Sequence, residues 1–153
     1  MVRFLLIAIS TFILAAVGNA QTAANTVSKK TASNQAVSQI KTTPAYAELL
    51  LRKTELESAL EDFSEAYTDD YPKVRETRYQ LSLIEKDLAR LLAFGNSDLT
   101  RMTLALGKLM VWRAELEADL WSLKTRFGND HPDVRRAARR VSSFEKAIAE
   151  ILP

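Results

Sequence analysis

From Pro44 to the end of the chain, apolar side chains recur at alternating steps of four and three residues, and nothing alternates with a period of two. A helix turns once every 3.6 residues, so this spacing lines one helical face, whereas a strand repeats every second residue. The first run reads Tyr46, Leu49, Lys53, Leu56, Leu60, Phe63, Tyr67, and the second Val74, Thr77, Leu81, Ile84, Leu88, Leu91. The third reads Leu99, Met102, Leu106, Leu109, Arg113, Leu116, Leu120, Leu123, Phe127, and the fourth Val134, Ala137, Val141, Phe144, Ile148, Ile151. This is the heptad seam of packed helices. Four helices are expected, at roughly 45–67, 72–93, 98–127 and 132–152. Leu50, Leu92, Met110 and Leu152 widen the stripe, which favours a bundle over a bare two-stranded coil. Lys53 and Arg113 also fall on seam positions, where a long apolar stem with its charged head reaching outward fits.

The same region repeats itself 60 positions on, for Glu55-Leu56-Glu57 returns as Glu115-Leu116-Glu117. Leu60 matches Leu120, Tyr67 matches Phe127, and Asp70-Tyr71-Pro72 returns as Asp130-His131-Pro132. Val74-Arg75 matches Val134-Arg135, and Glu85-Lys86 matches Glu145-Lys146. A fixed offset means one supersecondary unit used twice. The expected class is therefore all-α: two tandem antiparallel helical hairpins, 45–94 and 95–153, forming a four-helix bundle or an extended coiled coil. Asp69 or Asp70, and Asn129 or Asp130, are candidate caps for the helices that follow, with Pro72 and Pro132 near their first positions. Gly95 is placed to close the second helix, and Asn96-Ser97-Asp98 to cap the third.

Ahead of the repeat the composition changes. Arg3, the apolar run Phe4 to Val17 and the small residues of Gly18-Asn19-Ala20 read as a secretory signal, 1–20, with cleavage before Gln21. The apolar run is shorter than the ~20 residues a membrane span needs. The periplasm or the exterior is the expected address, with no span after signal removal. Residues 21–44 are mostly Ser, Thr, Asn, Gln, Ala and Lys, with Val27, Val37 and Ile40 the larger apolar side chains, and read as a flexible linker. With no cysteine there are no disulfides or thiolate metal sites, and His131 is the single histidine, so no metal or cofactor is expected. Loss of Arg3 takes the 21 basic residues to 20 against 19 acidic ones, a balance that does not point to nucleic acid.

The sharpest local signal is Tyr67-Thr68-Asp69-Asp70-Tyr71-Pro72-Lys73-Val74 with its partner Phe127-Gly128-Asn129-Asp130-His131-Pro132-Asp133-Val134. It resembles the turn in the periplasmic coiled-coil hairpins of polysaccharide chain-length determinants and related co-polymerases. The likeness spans both hairpins but departs from that family in lacking its two membrane spans, and Tyr71 stands where the turn has His. It implies hairpins that oligomerise and scaffold, with Tyr67, Asp70, Pro72, Phe127, Asp130 and Pro132 forming the turns and no catalytic residue carried over.

Charge adds a second signal. Arg135, Arg136, Arg139 and Arg140 crowd one helix, with like charges one turn apart, which is unfavourable. Glu55, Glu57, Glu61, Asp62, Glu65, Asp69 and Asp70 form a run with no basic residue between them. Three outcomes are open: the clusters neutralise each other, they pair between copies, or the arginines meet an anionic partner such as acidic polysaccharide or lipid headgroups. Trp112 and Trp121 are candidate contact anchors or core residues. Catalytic motifs do not stand out, so the expected function is a non-catalytic scaffold or adaptor working through self-association or a protein partner. The alternatives are a periplasmic helical chaperone and a small helical enzyme of chorismate mutase type, with Lys53 and Arg113 as anion clamps.

Overall fold

Two threonines 60 positions apart start two of the long helices. The computed structural model describes residues 34–152, in which α1 occupies 34–41, α2 Pro44–Ala66, α3 Pro72–Phe94, α4 Leu104–Arg126 and α5 Pro132–Ile151. The Thr43 hydroxyl accepts from the Tyr46 N–H at 3.4 Å and the Thr103 hydroxyl from the Leu106 N–H at 3.3 Å. Each hydroxyl satisfies a donor that the first helical turn leaves without a partner. Among the described residues every regular element is helical and there is no strand. No helix among them is long and apolar enough to cross a membrane.

Three expectations need correction. The third long helix starts at Leu104, not near 98, because Gly95 takes a positive φ of 74° and Asp98 breaks the 3-10 segment Gly95–Arg101 with φ −158°. The cap is accordingly Thr103 rather than Asn96-Ser97-Asp98, although Met102, read as a seam residue, remains almost fully buried. The caps of α3 and α5 are Tyr71 and His131, not the acids before them. The expected linker 21–44 overlaps α1, and Ile40, with 0% exposure, belongs to the core. The expected signal, 1–20, lies outside the described residues.

Contacts between named residues give the helix directions. Lys53 of α2 meets Glu85 of α3, so these two double back across the turn between them. Asp87 of α3 meets Arg113 of α4 while Arg75 meets Trp121, which makes α3 and α4 antiparallel. Arg52 meets Glu115 at 2.8 Å and Ala45 lies against Gly107, so α2 and α4 run parallel. The turns after α2 and after α4 therefore lie at one end. α4 packs against α2, α3 and α5. Its buried positions accordingly extend beyond one stripe and include Leu106, Gly107, Met110, Val111, Ala114, Ala118 and Leu120.

The main core fills the end away from these turns, with Ile40, Leu49, Leu91, Met102, Leu106, Met110, Ile148 and Leu152. A smaller cluster of Leu120, Val134 and Val141 joins α4 to α5 nearer the second turn. The core end is also tied by polar bonds. The Ala45 N–H donates to the Met102 carbonyl at 3.2 Å. Arg90 and Arg101 donate to the carbonyls of Leu152 and Ile151, the end of α5, at 3.1 and 3.3 Å.

Gly107 is the point of closest approach: a Cβ there would lie 2.8 Å from the Glu48 Cβ and 3.0 Å from the Ala45 Cα. In an open helix, Gly→Ala stabilises by about 1 kcal/mol through backbone entropy. At Gly107 the added methyl meets backbone instead, and forcing atoms into a packed contact costs about 1–3 kcal/mol. Gly107→Ala is therefore expected to lower the thermal midpoint followed by circular dichroism. Gly128→Ala, where nothing lies within 4 Å, should leave it unchanged or raise it.

Candidate functional site

The two turns are built the same way. The N–H of Tyr67 donates to the Phe63 carbonyl and that of Phe127 to the Leu123 carbonyl, both at 2.8 Å. Three residues into each turn, Tyr71 donates to the Thr68 carbonyl and His131 to the Gly128 carbonyl, both at 3.0 Å. Tyr67 and Phe127 have φ −136° and −131°, and Tyr71 and His131 have φ −58° and −61°. This places the rings flanking each turn face to face: Tyr67 on Tyr71 at 4.1 Å and Phe127 on His131 at 4.3 Å. Tyr71 and His131 each present a planar ring at this position. His131 adds one bond, its Nδ1 accepting from the Asp133 N–H at 3.3 Å. Pro72 and Pro132 begin the helices that follow, and Asp70 and Asp130 face solvent.

Inward from the turns, a line of polar and aromatic contacts runs along the α3–α4 interface. Arg75 lies over the Trp121 ring at 5.5 Å, and Trp121 stacks on Tyr79 at 5.3 Å. The Tyr79 hydroxyl donates to Glu117 at 3.3 Å. Glu117 bonds Arg113, and Arg113 bonds Asp87 at 2.7 Å. Side-chain exposures of 13% for Arg113 and 7% for Asp87 make this a buried ion pair. Burial pushes the Asp87 carboxyl above its ordinary value, against the pull of Arg113. Burial, then the charge of Glu117, likewise raises the Tyr79 hydroxyl. The sequence pattern missed Asp87, since an acid inside a helix reads as solvated. The signal was Arg113 on the seam, a buried cation that requires a counter-charge.

Lys53, the counterpart of Arg113, pairs with Glu85 at 3.0 Å and Glu57 at 3.3 Å. Both cations considered as anion clamps thus carry two carboxylates of their own chain. No group of His, Cys, Asp or Glu side chains that would hold a metal ion occurs among the described residues. Comparison with known protein families, curated proteins and solved structures finds no match to this chain.

The remaining candidates separate. Arg135, Arg136, Arg139 and Arg140 are all exposed on α5, and only Arg136 has an acid near, Asp133 at 3.5 Å. Among the described residues no ion pair joins them to the acidic run of α2. Among the described residues Glu61, Asp62, Glu65 and Asp70 have no cation at ion-pair distance, while Asp69 meets Arg78 at 2.7 Å. Mutual neutralisation, one of the three expected outcomes, is not what the geometry shows. Trp112 is 53% exposed and meets Phe144 edge-on at 6.1 Å, whereas Trp121 is half-buried in the interface.

Removing one member of a buried pair strands the other charge, at a cost of about 3–5 kcal/mol. Arg113→Met should therefore destabilise by that order in denaturant titrations, and Arg113→Met with Asp87→Leu should recover most of the loss. pH gives a second check. Because the folded pKa of Asp87 is raised, its contribution is present below the ordinary carboxylate value and is lost as pH rises through the raised one. Asp87→Asn should accordingly gain stability relative to the parent chain on going from about pH 4 to neutrality.

Proposed function

We propose that this chain is a non-catalytic helical scaffold or adaptor of the periplasm or the cell exterior, working by association through its helical faces. On this reading the fold is two tandem antiparallel hairpins closed into a four-helix bundle, with both turns presented at one end. The observation that carries it is the pair of unmatched charge clusters: Glu61, Asp62 and Glu65 on α2, and Arg135, Arg139 and Arg140 on α5. Like charges grouped on one helix face cost stability unless something opposite meets them. The chain carries both signs, so a second copy supplies what each cluster lacks. In a twofold arrangement the acidic face of one copy meets the basic face of the other, and the reverse contact follows by symmetry. Trp112, exposed on α4 against Phe144 of α5, supplies an apolar anchor of the kind that dominates interface energy. The likeness of the turns to those of polysaccharide chain-length determinants supports a scaffolding role in envelope polysaccharide assembly or export.

A second reading, a helical chaperone, draws on Leu50, Leu51, Leu104 and Trp112, large apolar side chains left exposed on α2 and α4. Sedimentation separates the two. The scaffold reading expects a dimer or larger species at low salt that dissociates as salt rises, since exposed charge pairs are screened. Reversing Arg135, Arg139 and Arg140 to Glu should yield a folded monomer of unchanged helix content whose melting temperature no longer depends on protein concentration. Mixing that variant with one reversed at Glu61, Asp62 and Glu65 to Lys should restore a mixed dimer. A monomer at every concentration, together with suppression of client aggregation, would instead favour the chaperone.

A further inference from the structure

Between the start of α3 and the end of α4, at the end where the turns lie, opens a cleft of about 560 Å³. Its walls include Tyr71 and Arg75 from one side and Trp121, Ser122, Thr125 and Arg126 from the other. That volume lies within the range of small-molecule sites, roughly 300–1,000 Å³. Two features distinguish it from an accidental crevice. Among the described residues both arginines lack a carboxylate at ion-pair distance, unlike Arg52, Arg78, Arg101 and Arg113. Both are also held in place by neighbours that leave their charge uncompensated. Arg75 lies over the Trp121 ring at 5.5 Å. Arg126 donates to the Ser122 carbonyl at 3.3 Å and to the Ser122 hydroxyl at 3.0 Å.

A guanidinium fixed in this way loses less side-chain freedom when it binds, and its planar fork matches an oxyanion with two parallel bonds. The hydroxyls of Ser122, Thr125 and Tyr71 add polar groups around the same space. The positive end of the α3 dipole also faces the cleft, with Pro72 and Lys73 at its rim. The one acid in the lining, Glu76, is engaged by Lys73 at 3.3 Å. We infer that this cleft binds a ligand bearing a phosphate or carboxylate group, gripped between Arg75 and Arg126. The site is independent of the charge clusters on α2 and α5.

Trp121 sits in the lining and reports on the site. In a Trp112→Phe background it is the single tryptophan. Its emission is followed while inorganic phosphate, glucose 6-phosphate, glucuronate or glucose is added at constant ionic strength, and calorimetry repeats each titration without the fluorophore. A saturable response to at least one of the three anions, and none to glucose, is expected. Phosphate against glucuronate tells which oxyanion is preferred, and glucose 6-phosphate against free phosphate tells whether the ligand body contributes. Arg75→Gln and Arg126→Gln should each weaken binding about tenfold or more, the weight of one charge-assisted contact. Lys108→Gln, an exposed cation of α4 outside the cleft, should change nothing. Each side chain replaced is on the surface, so melting curves should match the parent. Absence of any saturable response, an equal response to added chloride, or an equal loss in Lys108→Gln would overturn the assignment.

Discussion

The fold turns on the ion pair between Arg113 and Asp87. It joins α4 to α3 alongside the main core, next to Ile84, Leu88, Met110 and Ala114. A buried ion pair adds little net stability, because desolvation offsets most of its attraction, but it penalises any register that separates its members. A slide of α4 along α3 would strand two charges at once and also pull Trp121 from Tyr79 and Arg75. At the other end the Ala45–Gly107 contact does the same by shape: only a residue without a side chain lets the backbone of α2 come that close. Electrostatics fixes one pair of helices and sterics the other, and α4 takes part in both.

Much of this was legible in the sequence wherever one physical rule dominated. The four-and-three spacing gave the helical class because a strand cannot satisfy it, and α5 obeys it closely, burying Val134, Val141 and Ile148 on one stripe. α4 departs from it because it is covered on three sides. Gly107, Val111, Ala114 and Ala118 form a second buried stripe that a single-seam reading passes over. α3 likewise buries Gln80 and Asp87 beside its apolar seam, and polar residues at such positions look solvated until a partner is known. The start of α4 was misplaced for a local reason, since apolar spacing continues through Leu99 and Met102 while Gly95 and Asp98 break the backbone beneath it. Of the site, the turns were readable from Pro and the flanking rings. The α3–α4 cleft was not, since it combines residues about 50 positions apart, such as Arg75 and Arg126.

The turns show how far one backbone solution tolerates different chemistry. Tyr71 and His131 share dihedral angles within a few degrees and stack on the ring before them, yet only His131 accepts a bond from the helix it begins. Both turns hold a flat ring at this position, a phenol in one and an imidazole in the other. The acids at Asp70 and Asp130 follow the same logic: exposed and uncapped, they contribute charge at the tip rather than helix-capping bonds.

Lys53 and Arg113, 60 positions apart, show how two cations on apolar seams meet different surroundings. Both occupy the same seam position, and both bond the acid four residues on, Glu57 or Glu117. Beyond that they differ. Lys53 reaches Glu85 on the helix that follows it and stays partly exposed, whereas Arg113 turns to Asp87, which belongs to the helix before it. The counterpart of Asp87 is Ala147, on α5, whose main packing is against α4. The branched, planar cation of Arg113 suits this buried role, since it bonds two carboxylates at once, while the more strongly hydrated ammonium of Lys53 suits the exposed one. Among the described residues, the charged faces of α2 and α5 form no ion pair with each other and stand apart from this joint.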